Sequence, residues 1–273
     1  YAIFGTKYGS IDTCFSVNGE KICVPEGIAH FLEHKLFESE DGDAFTKYAQ
    51  TGASANAFTS FDRTCYLFSC SSGFYENLKI LLDFVQSPYF TAETVRKEQG
   101  IIGQEIRMYD DSPAWRVMFN MLEAMYKNHP VKIDIAGTVE SIAQIDDKLL
   151  YKCYNTFYNP SNMFICIAGN VDTEKVLAQI KDGIKEKEPV EIERTDFDEP
   201  DEIIKPFTEQ KLAVAQPMFC FGYKETVAYP ERTPKEKICS ALLLEILAGD
   251  ASPLYKKLVN GGLINDEFGT EYF

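Results

Sequence analysis

The sequence predicts an α+β fold in which a mixed, mostly antiparallel sheet packs against helices, followed by the start of a second, similar domain. Three observations carry this. Short apolar alternations are mixed with clustered helical periods rather than alternating with them one for one, so a doubly wound parallel sheet is not indicated. The chain has 273 residues, 45% hydrophobic and 13% aromatic, enough apolar surface for one large or two medium cores. An acidic, proline-containing stretch, "KEPVEIERTDFDEPDEIIKP" at 187–206, interrupts the periodicity as a linker would. The expected organisation is a first domain over 1–190, a linker over 191–210 and the beginning of a second domain over 211–273.

Residues 1–18 alternate as a strand and its turn, and "NGEKICVPEG" leads through Pro25 and Gly27 into a helix that begins at Ile28. After the acidic loop "ESEDGD", a short helix in "AFTKYAQTG" ends at Gly52, the residue type that most easily takes the left-handed C-cap. "ASANAFTS" and "RTCYLFSCSS" read as two strands joined by a tight turn over 60–63. Helical periods follow at about 74–87, 91–109 and 113–126, and Thr138 and Asp146 are placed to cap two more helices. "NMFICIAGNV" reads as a buried strand and "DTEKVLAQIKDGI" as a helix begun by Asp172. Past the linker, "LAVAQPMFCFGYKE" reads as a strand and "TPKEKICSALLLEILAG" as a helix, and the second domain is cut off at Phe273.

The net charge of −15 comes from 42 acids against 27 bases, and no basic cluster interrupts it, which argues against nucleic acid as a partner. No apolar run approaches the ~20 residues of a membrane helix, so no membrane partner is expected. Eight cysteines (Cys14, Cys23, Cys65, Cys70, Cys153, Cys166, Cys220, Cys239) form no C-x-x-C pair, and Cys166 and Cys220 lie in apolar runs. Reduced, buried thiols are expected from this pattern. No signal peptide is visible, which makes the cytoplasm of a bacterium the expected compartment. The chain opens without Met, inside what reads as a strand, and ends as abruptly, so a fragment of a longer protein is expected.

The chain has three histidines, and two of them, His30 and His34, fall in "GIAHFLEHKLF" with Glu33 between. Positions i and i+4 of a helix lie one above the other, so both imidazoles can be directed at one ion. Glu33, offset by one residue, lies beside that ion, where it can take a proton from water without being a ligand. The competing reading is a solvated helix face, but the apolar surroundings would leave an unliganded polar pair in need of partners. His129, before Pro130, reads as a loop residue. Catalytic zinc takes three protein ligands and keeps one position open. In "VRKEQGIIGQEIRMYDD", Glu98 and Glu105 are two helical turns apart on one face, so one could bind the ion and the other support it. Two acids at that spacing are, taken alone, more often a solvated face.

"HFLEH" at 30–34, "ASANAFTSFDRTCY" and "EQGIIGQEIRMYDDSP", in this order and spacing, resemble the inverzincin zinc metallopeptidases of the M16 family, which includes mitochondrial processing peptidase, pitrilysin and insulin-degrading enzyme. The likeness covers residues 1 to about 185, continues more weakly over 216–262, and is strongest to bacterial processing-peptidase-like members of Firmicutes. The resemblance implies a metallohydrolase fold of the LuxS/MPP-like type. It assigns zinc (Zn2+) to His30, His34 and Glu105, the general base to Glu33, and a supporting catalytic-site role to Glu98. It also implies that the "SANAF" strand is a sheet edge that takes an extended peptide by strand addition, with Asn56 and Ala57 contacting the substrate backbone. An unpaired edge offers main-chain hydrogen bonds whatever the side chains, which suits unfolded peptide.

One departure stands out. Active relatives carry an Arg and a Tyr in an R-x3-G-L-x-Y pattern, where "KKLVNGGLINDEF" has Leu258 and Asn265. The resemblance further implies a homodimer, or a heterodimer with a related M16 subunit, that closes a chamber. The expected function is a zinc-dependent endopeptidase acting on extended peptides or unfolded segments. Two alternatives stand beside it, a non-catalytic peptide-binding subunit of such a complex and a zinc hydrolase of a small molecule.

Overall fold

The computed structural model of the chain describes residues 1–40, 42–225 and 233–272. Asp41, in the acidic loop, and the terminal Phe273 lie outside the described residues. The chain divides into two compact units, Tyr1–Gly222 and Tyr223–Phe273.

The first unit is built on β1 (Ala2–Thr6), which pairs antiparallel with two later strands, β7 (Thr64–Ser69) and β8 (Met163–Ile167). With β6 (Ser54–Thr59) on the far side of β7, the sheet runs β6-β7-β1-β8. Because side chains alternate across a strand, Ala2, Phe4, Tyr66 and Phe68 fall on one face and are buried, with Phe4 opposite Tyr66 and Ala2 opposite Phe68. The helices α1 (Ile28–Leu36), α3 (Phe74–Val85) and α7 (Asp147–Phe157) supply the other half of this core. Asp146 caps α7 as expected, its carboxylate accepting from the Leu149 N–H. The α+β class with antiparallel pairing is therefore the observed one.

A second sheet, β3-β2-β9, is formed by β2 (Cys14–Val17), β3 (Glu20–Cys23) and β9 (Ile192–Arg194). Asn18 and Gly19 both take positive φ, the two-residue turn whose twist suits a hairpin. That register puts Cys14 opposite Cys23 with Cα atoms 4.2 Å apart, and the two form a disulfide. The expectation of reduced thiols is corrected here, because cysteines facing each other across a hairpin need no C-x-x-C spacing to meet. Three other cysteines, Cys166, Cys220 and Cys239, are exposed and also depart from expectation. β8 is an end strand covered on one face only, so Phe164 and Cys166 are exposed while Ile165 and Ile167 pack on the core; Cys220 is exposed as well. A continuous apolar run does not tell a half-covered strand from a buried one.

Within the acidic stretch at 187–206, β9 pairs with β2, and Arg194 Nε donates to the buried Asp12 carboxylate at 2.8 Å. Among the described residues, no strand forms over 212–225, where "LAVAQPMFCFGYKE" suggested one. Alternation there has no neighbouring strand to pair with, and pairing is what stabilises a strand.

After α1 come a two-residue hairpin, β4 (Glu38–Ser39) with β5 (Gly42–Asp43), and α2 (Ala44–Thr51), closed by Gly52 in the left-handed region. α4 (Ala92–Asp110) begins at a Thr91/Thr94 capping box and packs along α1, with α5 (Pro113–Met125) and the short α6 (Val139–Ile142) behind it. α8 (Thr173–Gly183), begun by Asp172, packs on α3. The second unit holds α9 (Pro234–Ala248), started by a Thr233/Glu236 capping box, and α10 (Pro253–Asn260), started by Ser252.

Candidate active site and metal centre

The helix α1 owes its position to one face. Ile28, Phe31, Leu32 and Leu36 recur at helical spacing and are buried, each worth ~1.5–3 kcal/mol when fully removed from water. Lys35, on the same side, is fully buried, and its ammonium pairs with Glu38 at the start of β4. Losing one partner of a buried pair leaves an uncompensated charge, so the pair fixes how α1 leaves the core. The remaining face carries His30, Glu33 and His34.

At its N-terminus α1 starts from Gly27, with φ of 85° and its backbone against the loop after Asp134. A Cβ on Gly27 would lie 2.3 Å from the Ala136 carbonyl oxygen, so only glycine fits this approach.

On α4 the buried residues Val95, Ile102 and Ile106 form the stripe that faces the core. Glu98 and Glu105 lie along that stripe, and packing α4 against α1 brings them to the histidines. Glu105 Oε2 is 3.4 Å from His34 Nε2 and its Oε1 is 3.7 Å from His30 Nε2. The ligand atoms of His30, His34 and Glu105 all lie within 4.8 Å of one another. Glu98 Oε1 sits 2.9 Å from His34 Nδ1, the nitrogen turned away from that cluster. The two rings meet edge to face, 4.5 Å between centroids. Glu98 and Glu105 thus part roles by geometry: one faces both Nε2 atoms, and the other holds one ring from behind.

Glu33 lies beside this group. Its Oε2 accepts a hydrogen bond of 2.6 Å from Thr59 Oγ1, at the end of β6. Thr59 is in turn 3.3 Å from Thr64 Oγ1, which donates to the Tyr8 carbonyl at 2.9 Å. Thr59 is not among the residues that the sequence singles out; only the pairing of β6 beside α1 brings it here.

Electrostatics follow from burial. Desolvation, with His34 adding to it, lowers the His30 pKa to about 3, so this imidazole is neutral. Burial opposes charge on His34 too, but the hydrogen bond to Glu98 and the carboxylates of Glu33, Glu105 and Glu98 outweigh it and raise its pKa. Burial raises the Glu33 pKa against the lowering effects of the Thr59 hydrogen bond and His34. Three carboxylates around two imidazoles leave an excess of negative charge in a partly desolvated place.

That donor set fits a zinc ion. Tetrahedral zinc at ~2.0–2.1 Å from N and O ligands needs its ligand atoms about 3.3 Å apart. The two measured separations of 3.7 and 3.4 Å are close to this. His30, His34 and Glu105 would hold the ion, with Glu98 fixing the His34 ring through Nδ1.

The strand β6 is a sheet edge, paired on one side with β7. The turn closes with Ser60 N–H donating to the Arg63 carbonyl at 2.8 Å, which sets the parity of the ladder. Asn56 and Phe58 therefore bond to β7, while the main-chain groups of Ala55, Ala57 and Thr59 point to the open side. Asn56 is exposed, and its side-chain oxygen accepts from the Ala57 N–H at 2.9 Å, covering one open donor. Leu258, on α10, and Asn265 belong to the second unit. His129 starts a single 3-10 turn, its Nδ1 accepting from Val131 N–H, in line with a loop role.

The chain matches known proteins along most of its length. The family described as insulinase (peptidase family M16) matches residues 25–139, and the peptidase M16 inactive domain matches residues 144–270. The protein named uncharacterized zinc protease YmfH of Bacillus subtilis is 50% identical over 279 residues, covering 100% of this chain and 65% of that protein. The uncharacterized zinc protease YmxG of the same organism is 31% identical over 150 residues, which is 53% of this chain and 37% of the relative. Among solved structures, an M16-like peptidase from Alicyclobacillus acidocaldarius superposes with a TM-score of 0.90 at 40% identity, over 98% of this chain and 64% of that one. The chain thus spans just under two thirds of the length of YmfH and of the Alicyclobacillus chain, and little more than a third of YmxG. Two M16 matches in series, a relative sharing half its residues and one fold over nearly the whole chain agree: this chain belongs to the M16 family of peptidases.

Proposed function

We propose that this chain carries the zinc-binding part of an endopeptidase that cleaves extended peptides or unfolded segments. The observation that carries the reading is the hydrogen bond from Thr59 to Glu33. The open edge that would take a peptide ends on the residue that holds the proposed base, beside the converging nitrogens of His30 and His34. A small-molecule hydrolase needs no such edge.

When bound, zinc lowers the pKa of a coordinated water towards neutrality and polarises a carbonyl. The residues of the chain do the rest. His30, His34 and Glu105 hold the ion, and Glu98 keeps the His34 ring turned to it. Ala55, Ala57 and Thr59 align the peptide through main-chain hydrogen bonds, with the Asn56 amide giving up the Ala57 N–H as the peptide arrives. Glu33, with one oxygen held by Thr59, accepts the proton of the attacking water on its carboxylate and returns it to the departing amine. Pairing with a related subunit would complete the enclosure. Leu258 and Asn265, in place of the Arg and Tyr of active relatives, favour a second reading in which this chain is a peptide-binding subunit.

The full-length protein should digest an unfolded protein substrate, lose that activity to a chelator and regain it with zinc. Digestion that ignores the chelator ends the metal mechanism, and peptide binding without digestion moves the chain to the second reading.

Ala57→Pro tests the edge. The Ala57 N–H takes no part in pairing with β7, so the hairpin should persist. A peptide loses one main-chain bond, worth ~0.5–1.5 kcal/mol, so affinity should fall about 2- to 10-fold. Equal affinity of both proteins for a labelled extended peptide would place docking elsewhere.

A further inference from the structure

Helix α5 carries Met121 and Met125 one helical turn apart, so both thioethers lie on one face. The segment after residue 203 runs back over that helix. Its Ile204 and Lys205 N–H groups both donate to the Ala124 carbonyl, at 2.9 and 3.0 Å, and the Asn120 amide donates to Gln210 Oε1 at 2.7 Å. Further along, the Cys220 thiol donates to Met121 Sδ at 3.3 Å. A Cβ on Gly222 would lie 3.2 Å from Met121 Sδ and 3.7 Å from Met125 Sδ, so both thioethers border a place that a side chain at 222 would fill. Three sulfurs from two elements thus converge beside one small gap.

Met125 is buried, but Cys220 is exposed as a residue while its sulfur is turned onto α5, which leaves the group within reach of solvent. The donor set is selective. A thiolate and two thioethers are soft, and soft sulfur ligands select Cu(I) over the ions that imidazole and carboxylate hold. Charge points the same way. One thiolate balances one monovalent cation, which suits a partly desolvated place, whereas a divalent ion would keep a net positive charge there. Among the described residues, the cluster of histidine and carboxylate ligands is that of His30, His34 and Glu105, and Cys220 has no part in it.

We infer that Met121, Met125 and Cys220 form a second metal site, separate from the histidine cluster, that takes a soft monovalent cation, Cu(I). The inference does not rest on the zinc site. Three sulfurs at ~2.3 Å from a trigonal ion lie about 4 Å apart, so the 3.3 Å pair opens only slightly to admit one. Burial raises the Cys220 pKa, so the thiol keeps its proton until the ion arrives. The metal–sulfur bond then forms as the S–H bond breaks, and the proton leaves to solvent with no change of oxidation state. The bound ion would pin the 204–222 segment to α5.

The test is Cu(I) affinity of the full-length protein, measured anaerobically with zinc present against the chromogenic chelator bicinchoninate, with thermal unfolding of each copper-free variant. Cys220→Ser should weaken binding by at least about 100-fold, the order expected for one ligand of a tight site. Met121→Leu and Met125→Leu keep the side-chain volume and remove only the thioether. Copper-free unfolding should therefore not move, while each change weakens binding by about 10-fold. Gly222→Ala leaves every sulfur in place but fills the gap, so binding should fall here too. Cys166→Ser, which removes an exposed thiol on β8, should leave affinity within twofold.

Affinity within twofold of wild type in both methionine variants overturns the inference, because the thiol would then bind copper without the thioethers. So does a loss in Cys166→Ser as large as that in Cys220→Ser, which would make copper a reagent for any exposed thiol. Wild-type protein that holds no Cu(I) against the chelator overturns it as well.

Discussion

Glu33→Gln is expected to keep zinc and peptide binding while turnover falls by about 10² to 10⁴, the usual loss when a general base is removed. The amide has nearly the same size as the carboxylate and can still accept the 2.6 Å hydrogen bond from Thr59, so the local structure should hold. What it cannot do is take a proton from water. Burial raises the pKa of Glu33, while the Thr59 hydrogen bond and His34 draw it back. A carboxyl group placed in that way is a better proton acceptor than one in bulk water, yet still releases the proton to an amine. Steady-state peptide hydrolysis with zinc content measured on the same sample decides the matter. Turnover within a few-fold of wild type at full occupancy would remove Glu33 as the base. Thr59→Val should show a milder loss, because the carboxylate remains and only its orientation is released.

The helix over Ile28–Leu36 and the convergence of His30 with His34 could be read from local spacing, because i and i+4 share a face in any helix. The turn over 60–63 was equally local: two strands of matching length fold back through Phe61 and Asp62. The separate positions of Glu98 and Glu105 were not local. Helical spacing puts both on one side of α4, but only the packing of α4 on α1 shows one carboxylate facing the two Nε2 atoms and the other behind Nδ1.

Thr59 was hidden for the same reason, since it meets Glu33 only across two elements. The disulfide was legible in part. Asn18-Gly19 is a strong two-residue turn signal, and pairing outward from it sets Cys14 against Cys23. Reading the cysteines by spacing alone missed it. At 212–225 the reverse happened, because alternation suggests a strand without saying whether a neighbour exists to pair with it.

Removing a ligand should separate Glu105 from Glu98. Zinc binding in small sites amounts to roughly 10–16 kcal/mol over about four ligands, so each contributes on the order of 3 kcal/mol, or ~10²-fold in affinity. His30→Ala, His34→Ala and Glu105→Ala should each weaken zinc by at least that factor and abolish chelator-sensitive hydrolysis. Glu98→Gln leaves three ligands in place and loosens one ring, so a smaller loss is expected, at the low end of ~10- to 100-fold.

The fold should survive all four changes. The side chains of His34, Glu98 and Glu105 are only 24%, 14% and 22% exposed but face the cluster, while the buried Phe31 and Leu32 hold α1 and the buried Val95 and Ile102 hold α4. Removing one of three crowded carboxylates also relieves repulsion in the metal-free protein, so Glu105→Ala should unfold at the same temperature as wild type without metal, or slightly above it. The measurement is zinc affinity by competition, paired with thermal unfolding in chelator. Full occupancy in Glu105→Ala together with zinc lost in Glu98→Gln would exchange their roles.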